Sequence, residues 1–131
     1  MFRRTALITT VSVLFFALIV APVPALAHAN LVSCNVKNNE VFTVHSAPKR
    51  IIGHFAQALN PDHSWMQVFE GVADHGLVTE HQKSQISFTN AKVMTLKLPK
   101  LQPLKYYLIW YTHSAQDGHF AAGIVYFRVK K

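Results

Sequence analysis

Cysteine is almost absent from this 131-residue sequence, in which Cys34 is the only one. A single thiol cannot form an internal disulfide, so the fold must be stabilised by its hydrophobic core. Acidic residues are also few, with six Asp and Glu against thirteen Lys and Arg. The basic residues are scattered rather than clustered, which argues against a nucleic-acid-binding surface. The length allows one compact domain and excludes a multidomain enzyme.

A long apolar run occurs only at the start of the chain. Two arginines precede apolar residues from Ala6 to Val20, and small residues follow, an order typical of a secretory signal peptide. The run is too short and too diluted by Thr and Ser to favour a membrane-spanning helix, so an uncleaved anchor is the less favoured alternative. We therefore expect residues 1–27 to be a signal peptide removed after Ala27, and residues 28–131 to form a periplasmic domain.

Two other processing sites compete with cleavage after Ala27. Cleavage after Ala29 would expose Asn30, and the segment that ends at Cys34 is similar to a lipoprotein box, which would give a lipidated cysteine. Cys34 lies fourteen residues beyond the end of the apolar run, with two prolines between, whereas Ala27 lies at an ordinary distance. The choice matters because it decides which residue carries the free amino group.

Apolar and polar residues alternate with a period of two in several short runs rich in Val, Ile, Phe, Tyr and Thr, which predicts half-buried strands. The runs are residues 50–55, 65–70, 85–89, 92–98, 105–112 and 123–130, and residues 30–33 add one more. About seven short antiparallel strands in about 100 residues favour an all-β, immunoglobulin-like β-sandwich. We expect both tryptophans, Trp65 and Trp110, to lie in its core.

Eight histidines are unusual in so short a chain, and all of them follow residue 27. Most need no function as ligands and are expected to be solvated or satisfied by a backbone partner. These are His45, His54, His63, His75, His81 and His113. Asp74, His75 and His81 form a weaker candidate for a loose metal site, since no regular spacing connects them.

The remaining two histidines stand near the ends of the mature chain. If His28 is the first residue, its α-amine and its ring Nδ1 can chelate one metal ion, an arrangement called a histidine brace. Asp117 and His119 are two positions apart, so on extended backbone their side chains point the same way. Three nitrogens and one oxygen in a tetragonal arrangement suit Cu(II) better than its neighbouring divalent ions.

Several segments resemble the CopC-like periplasmic copper-binding proteins over nearly the whole mature chain. The matching segments are His28-Ala29-Asn30-Leu31-Val32-Ser33, Ala47-Pro48, His54-Phe55, Tyr107-Leu108-Ile109-Trp110, Asp117-Gly118-His119, Gly123 and Phe127-Arg128-Val129. The resemblance implies an immunoglobulin-like sandwich that binds one Cu(II) per chain, with His28 as the brace, His119 as the third nitrogen and Asp117 as a weaker oxygen donor.

This sequence departs from the family pattern in three places. Members usually carry an acidic residue where this chain has Gln57, which would stand beside the ligands without a negative charge and lower the affinity. The interval from Trp110 to Asp117 is one residue longer than usual, so an extra residue such as Gln116 must bulge out. The methionine-rich loop that some members use for Cu(I) is absent, so soft thioether ligation is not supported.

The sequence thus predicts a periplasmic protein that does not span the membrane or catalyse a reaction, and that sequesters copper, confers resistance or delivers copper to a CopD-like inner-membrane transporter. One alternative is an envelope interaction module in which the histidines are incidental. A second is a small histidine-brace copper oxidase, which the short chain disfavours.

Overall fold

The computed structural model describes residues 28–71 and 76–131, and the predicted signal peptide at residues 1–27 lies outside them. The described residues contain eight strands and no helix. The strands are β1 (Leu31–Cys34), β2 (Glu40–Thr43), β3 (Arg50–Phe55), β4 (Trp65–Glu70), β5 (Gln85–Ile86), β6 (Val93–Lys97), β7 (Lys105–His113) and β8 (Phe120–Lys130). None of the described residues belongs to a helix that could span a membrane.

The strands form two four-stranded sheets packed as a β-sandwich, which confirms the predicted fold class. The first sheet has the order β1-β3-β6-β5 and the second the order β2-β8-β7-β4. Strand β2 was not among the predicted strands, and it pairs with β8 in parallel, whereas the other pairs are antiparallel. The two chain segments that carry the predicted metal ligands therefore precede β1 of one sheet and β8 of the other.

The core lies between the two sheets and is formed by alternate residues of each strand. Its fully buried members include Ile51, Met66, Leu96 and Leu108. The expectation for the tryptophans is only half correct. Trp110 is 8% exposed and belongs to the core, but Trp65 is 38% exposed on the outer face, where its ring stacks on Tyr111 at a centroid distance of 5.8 Å. Trp65 points outward because Met66 and Val68 occupy the inward positions of β4.

Strand β7, which leads to the predicted ligands, is anchored at its start by Tyr106. The Tyr106 hydroxyl donates a hydrogen bond to the Gln102 carbonyl over 2.8 Å and accepts one from the Gln102 N–H over 2.9 Å. Immunoglobulin-like domains use a similar tyrosine corner at an equivalent place. Burial of the ring raises the pKa of Tyr106 above its ordinary value of 10.0.

The single thiol packs against the edge of the core, as expected for a small apolar residue. Cys34 is half-buried at the end of β1 and contacts the core cluster. Burial raises its pKa above the ordinary value of 9.0. The thiol is therefore protonated at neutral pH, a state that makes it a poor nucleophile and a poor metal ligand.

Candidate metal centre

The segment that precedes β1 is held against the end of β7 by hydrogen bonds of its backbone. Ala29 is fully buried, and its carbonyl accepts a hydrogen bond of 2.7 Å from the Thr112 hydroxyl, which is also fully buried. The next carbonyl, of Asn30, accepts a hydrogen bond of 2.9 Å from the Ala56 N–H. These two contacts place His28 beside the loop that joins β7 to β8.

That loop comprises residues 114–119 and is a tight turn organised by Ser114. The Ser114 N–H donates to the His119 carbonyl over 2.9 Å, and the Ser114 carbonyl accepts from the Gly118 N–H over 3.0 Å. Gly118 has a φ of +73°, a conformation that residues with a Cβ rarely adopt. The β7–β8 register is regular up to the pair of His113 and Phe120, so both strands are undistorted where they enter the loop.

Asp117 and His119 face each other across Gly118. The Asp117 carboxylate accepts a hydrogen bond of 3.1 Å from the His119 N–H, and its other oxygen lies 3.2 Å from Nδ1 of His119. The hydrogen bond from the His119 backbone N–H is the main cause that lowers the pKa of Asp117 below its ordinary value of 3.8, and the contacts with Ser114 and with the His119 side chain add to it. Asp117 is therefore a carboxylate throughout the neutral range.

The imidazoles of His28 and His119 lie together. Their ring centroids are 5.3 Å apart and their planes differ by 23°, so that the rings are stacked. Both side chains are exposed at the surface. The structure thus brings His28, at the beginning of the described chain, against His119 of the last hairpin. His119 in turn lies against Asp117.

The other two residues singled out from the sequence lie nearby. Gln57 is half-buried and follows Ala56, which is bonded to the His28 segment, so it belongs to the same end of the sandwich. Gln116 is exposed in the loop, where its N–H donates to the Ser114 hydroxyl over 3.2 Å. Of the weaker group, Asp74 and His75 lie outside the described residues, and His81 is exposed.

No three side chains of His, Cys, Asp or Glu converge on one point within residues 28–71 and 76–131. The predicted donor set uses three such side chains, those of His28, His119 and Asp117, and the described structure does not gather them into a complete site. Its fourth donor is the main-chain nitrogen of His28. In the full-length chain this atom is a peptide nitrogen. It becomes an amine only when the bond after Ala27 is cut.

His113 is a residue whose setting the sequence interpretation missed. It was expected to be solvated near a turn, but it is the last residue of β7, half-buried, and its Nδ1 is buried without a hydrogen-bond partner in the described structure. Its ring packs against Phe120 at a centroid distance of 4.7 Å and against His63 at 5.3 Å. The alternation of β7 could have indicated that His113 continues the strand.

Comparison with known proteins agrees with this architecture. The CopC domain family matches residues 31–130 of the chain. The crystal structure of CopC from Methylosinus trichosporium OB3b superposes with a TM-score of 0.69 at 21% identity, covering 79% of this chain and 94% of that one. PcoC, a methionine-rich copper resistance protein from Escherichia coli, superposes with a TM-score of 0.65 at 21% identity, covering 79% of this chain and 99% of that one.

A longer protein is also similar in sequence. The copper transport protein CutJ of Bacillus subtilis (strain 168) is 25% identical over 119 residues, which are 91% of this chain and 21% of CutJ. The chain therefore spans about a fifth of the length of this relative. The family match covers most of the residues that form the two sheets, and the chain belongs to the CopC domain family.

Proposed function

We propose that this protein binds one Cu(II) ion in the periplasm, through the α-amine and Nδ1 of His28, the imidazole of His119 and, as a weaker donor, the carboxylate of Asp117. It sequesters the ion or delivers it to a membrane transporter, and it catalyses no reaction. Cleavage after Ala27 creates the first of these donors.

The contact between His28 and His119 carries this proposal. A metal–imidazole bond is about 2.0–2.1 Å long, so two imidazoles that share one ion have ring centres roughly 5 Å apart. The observed centroid separation of 5.3 Å is close to this value, and both side chains are exposed, so their rings can turn toward a shared ion. Asp117 already lies beside His119, and its low pKa keeps it available as an anionic ligand.

The chemistry of the donors favours Cu(II) over other ions. Imidazole and amine nitrogens in a tetragonal arrangement select Cu(II), which binds such sites more tightly than its neighbours in the first transition row. Cu(I) prefers soft thioethers, and Met66 and Met94 are fully buried in the core. The relatives whose names specify copper transport or copper resistance support the choice of metal.

Delivery to a transporter is supported by the relation to CutJ. The region similar to this chain forms 21% of that copper transport protein, so in CutJ a domain of this kind is covalently joined to a much larger remainder. A domain of this kind can serve the same purpose by docking transiently on a membrane protein. The partner that we propose is a CopD-like copper transporter of the inner membrane.

The test begins with the mass of the exported protein and continues with Cu(II) titration followed by electron paramagnetic resonance. We expect a mature chain that begins at His28, and a tetragonal, nitrogen-rich Cu(II) spectrum at one equivalent. His28→Ala and His119→Ala should each abolish that spectrum. His45→Ala is the matched control. His45 is exposed in the turn after β2, at the other end of β8 from His119. At about 3.3 Å per strand residue, the two histidines are roughly 30 Å apart.

Two results would refute the proposal. A mature protein that begins at another residue lacks the α-amine on His28 and cannot form the brace. Equal losses of affinity in the His45, His28 and His119 variants would mean that copper binds nonspecifically. Either result would favour the interaction module. Peroxide-dependent oxidation of a polysaccharide by the copper-loaded protein would instead favour the oxidase.

A further inference from the structure

A second pair of histidine rings lies close to the first. His63, in the turn after residue 60, and His113, at the end of β7, have ring centroids 5.3 Å apart and planes that differ by 54°. This separation equals that of the His28 and His119 rings. It also lies close to the roughly 5 Å expected when two imidazoles bind the same ion with bonds of about 2.0–2.1 Å.

The backbone around His113 holds this pair in place. The His113 carbonyl accepts a hydrogen bond of 2.8 Å from the Asn60 N–H, and the His113 N–H donates one of 3.0 Å to the Ser64 hydroxyl. These two bonds flank the turn that carries His63, and a further backbone bridge joins Leu59 to Ser114. The turn is therefore fixed to the end of β7, and the proximity of the two rings is a consequence of the fold.

The polar atoms of His113 are only partly satisfied. Nδ1 of its ring is buried and has no hydrogen-bond partner in the described structure, an arrangement that is rare in folded proteins because it is destabilising. Phe120 covers the ring, and the edge formed by Cε1 and Nε2 faces Gly118. A metal ion bound at Nδ1 would give this buried nitrogen the partner that it lacks in the described structure.

We propose that His63 and His113 form a second metal site, in which two imidazoles bind a borderline transition-metal ion, Cu(II) or Zn(II), and water completes the coordination. Imidazole is a suitable ligand for both ions. The site shares no ligand with His28, His119 and Asp117, and it does not depend on where the signal peptide is cut. Its failure and the failure of the proposed function can therefore be observed separately.

The site can be tested by titrating the exported protein with Cu(II) and, separately, with Zn(II), while bound metal is measured after equilibrium dialysis. We expect two equivalents of at least one of these ions in the unmodified protein, with the second bound more weakly. In the His119→Ala variant the first equivalent is lost and the second remains. Zn(II), which is diamagnetic, should also shift the NMR signals of the His63 and His113 ring protons in that variant.

The decisive variant is His63→Ala, because His63 is exposed and its loss should leave the fold intact. It should lose the second equivalent of bound metal and keep the first, and His113→Gln should behave in the same way. The control His45→Ala should keep both equivalents. If the unmodified protein binds a second equivalent of only one of the two ions, the result supports the site and identifies the ion that it prefers. If His63→Ala binds as many equivalents of Cu(II) and of Zn(II) as the unmodified protein does, the proposal is overturned.

Discussion

Trp110 lies directly across the β7–β8 ladder from Gly123, and its indole occupies the space that a side chain at position 123 would need. A Cβ added to Gly123 would come within 2.5 Å of Cζ2 of Trp110. The indole also meets Phe55 edge-on at a centroid distance of 5.8 Å. Glycine at position 123 thus allows the largest side chain of the core to lie close to the backbone of β8.

Gly123→Ala should destabilise the protein by about 1–3 kcal/mol, because the indole must move in a core that has no room for it. Chemical denaturation followed by tryptophan fluorescence measures the change. Ala122→Val is the control, since Ala122 is exposed on the same strand and its replacement should change stability by less than about 0.5 kcal/mol. A smaller loss for Gly123→Ala than for the control would contradict this packing.

Thr112 positions the segment that carries His28. Thr112→Val preserves the shape of the side chain but leaves the buried Ala29 carbonyl without its donor, so we expect a loss of about 1–3 kcal/mol in stability. Cu(II) affinity should fall as well, because His28 is no longer held beside His119. Competition titration against a chelator measures the affinity, and Thr112→Ser, which retains the hydroxyl, should recover most of both losses.

Gly118 fixes the relation between Asp117 and His119. Gly118→Ala should cost about 1 kcal/mol, because alanine is strained at a positive φ. The strain is conformational rather than steric, since the nearest atom to an added Cβ is 3.7 Å away. Gly118→Asn should cost less, because asparagine tolerates this conformation, and it should bind Cu(II) more tightly than the alanine variant. The reverse order would mean that the loop geometry does not control the ligands.

Copper affinity should decrease as the pH falls from 8 to 5. Amine and imidazole nitrogens bind a metal ion only when they carry no competing proton, so protons displace Cu(II) from them as the pH falls. The pKa of Asp117 is lowered from 3.8, so its carboxylate remains ionised over the whole range. Asp117→Asn should therefore weaken binding by the same factor at each pH. A loss confined to low pH would contradict this assignment of the titrating groups.

Ionisation of the Tyr106 phenol should make the protein less stable at alkaline pH. Because burial raises its pKa above 10.0, the unfolded state loses the phenolic proton first as the pH rises, and stability declines beyond that point. Tyr106→Phe should cost about 1 kcal/mol at neutral pH, since both hydrogen bonds to Gln102 are lost. The same variant should show a smaller further loss between pH 9 and 11. Denaturation curves at these pH values give both quantities.

The sequence pattern predicted most of the strands well and the short edge strands β2 and β5 less well. Strands β3 and β4 have the predicted bounds, because each alternates clearly and buries its apolar face between the sheets. Strand β2 was missed because it is only four residues long and because Phe42 is its one apolar residue packed against the core cluster. It owes its existence to parallel pairing with β8, a contact that no local pattern encodes.

Some features of the candidate site could likewise be predicted and others could not. The nearness of His28 and His119 follows from the resemblance to a known sandwich, but their role as ligands stays a prediction. The orientation of Asp117 depends on the left-handed backbone of Gly118, which residue spacing cannot give. The pairing of His63 with His113 was equally hidden, because it arises where a turn docks on the end of a strand far away in the sequence.

The two sheets of the sandwich meet at the rim where His28 and His119 stack, and each sheet contributes one of these rings through the strand that follows it. An ion bound by both rings would link the two sheets at this rim. At the opposite rim, Thr43 and Lys130 are neighbours within a single sheet, and a bond there would join nothing across the sandwich. If both rings bind an ion, its release would remove this link between the two sheets.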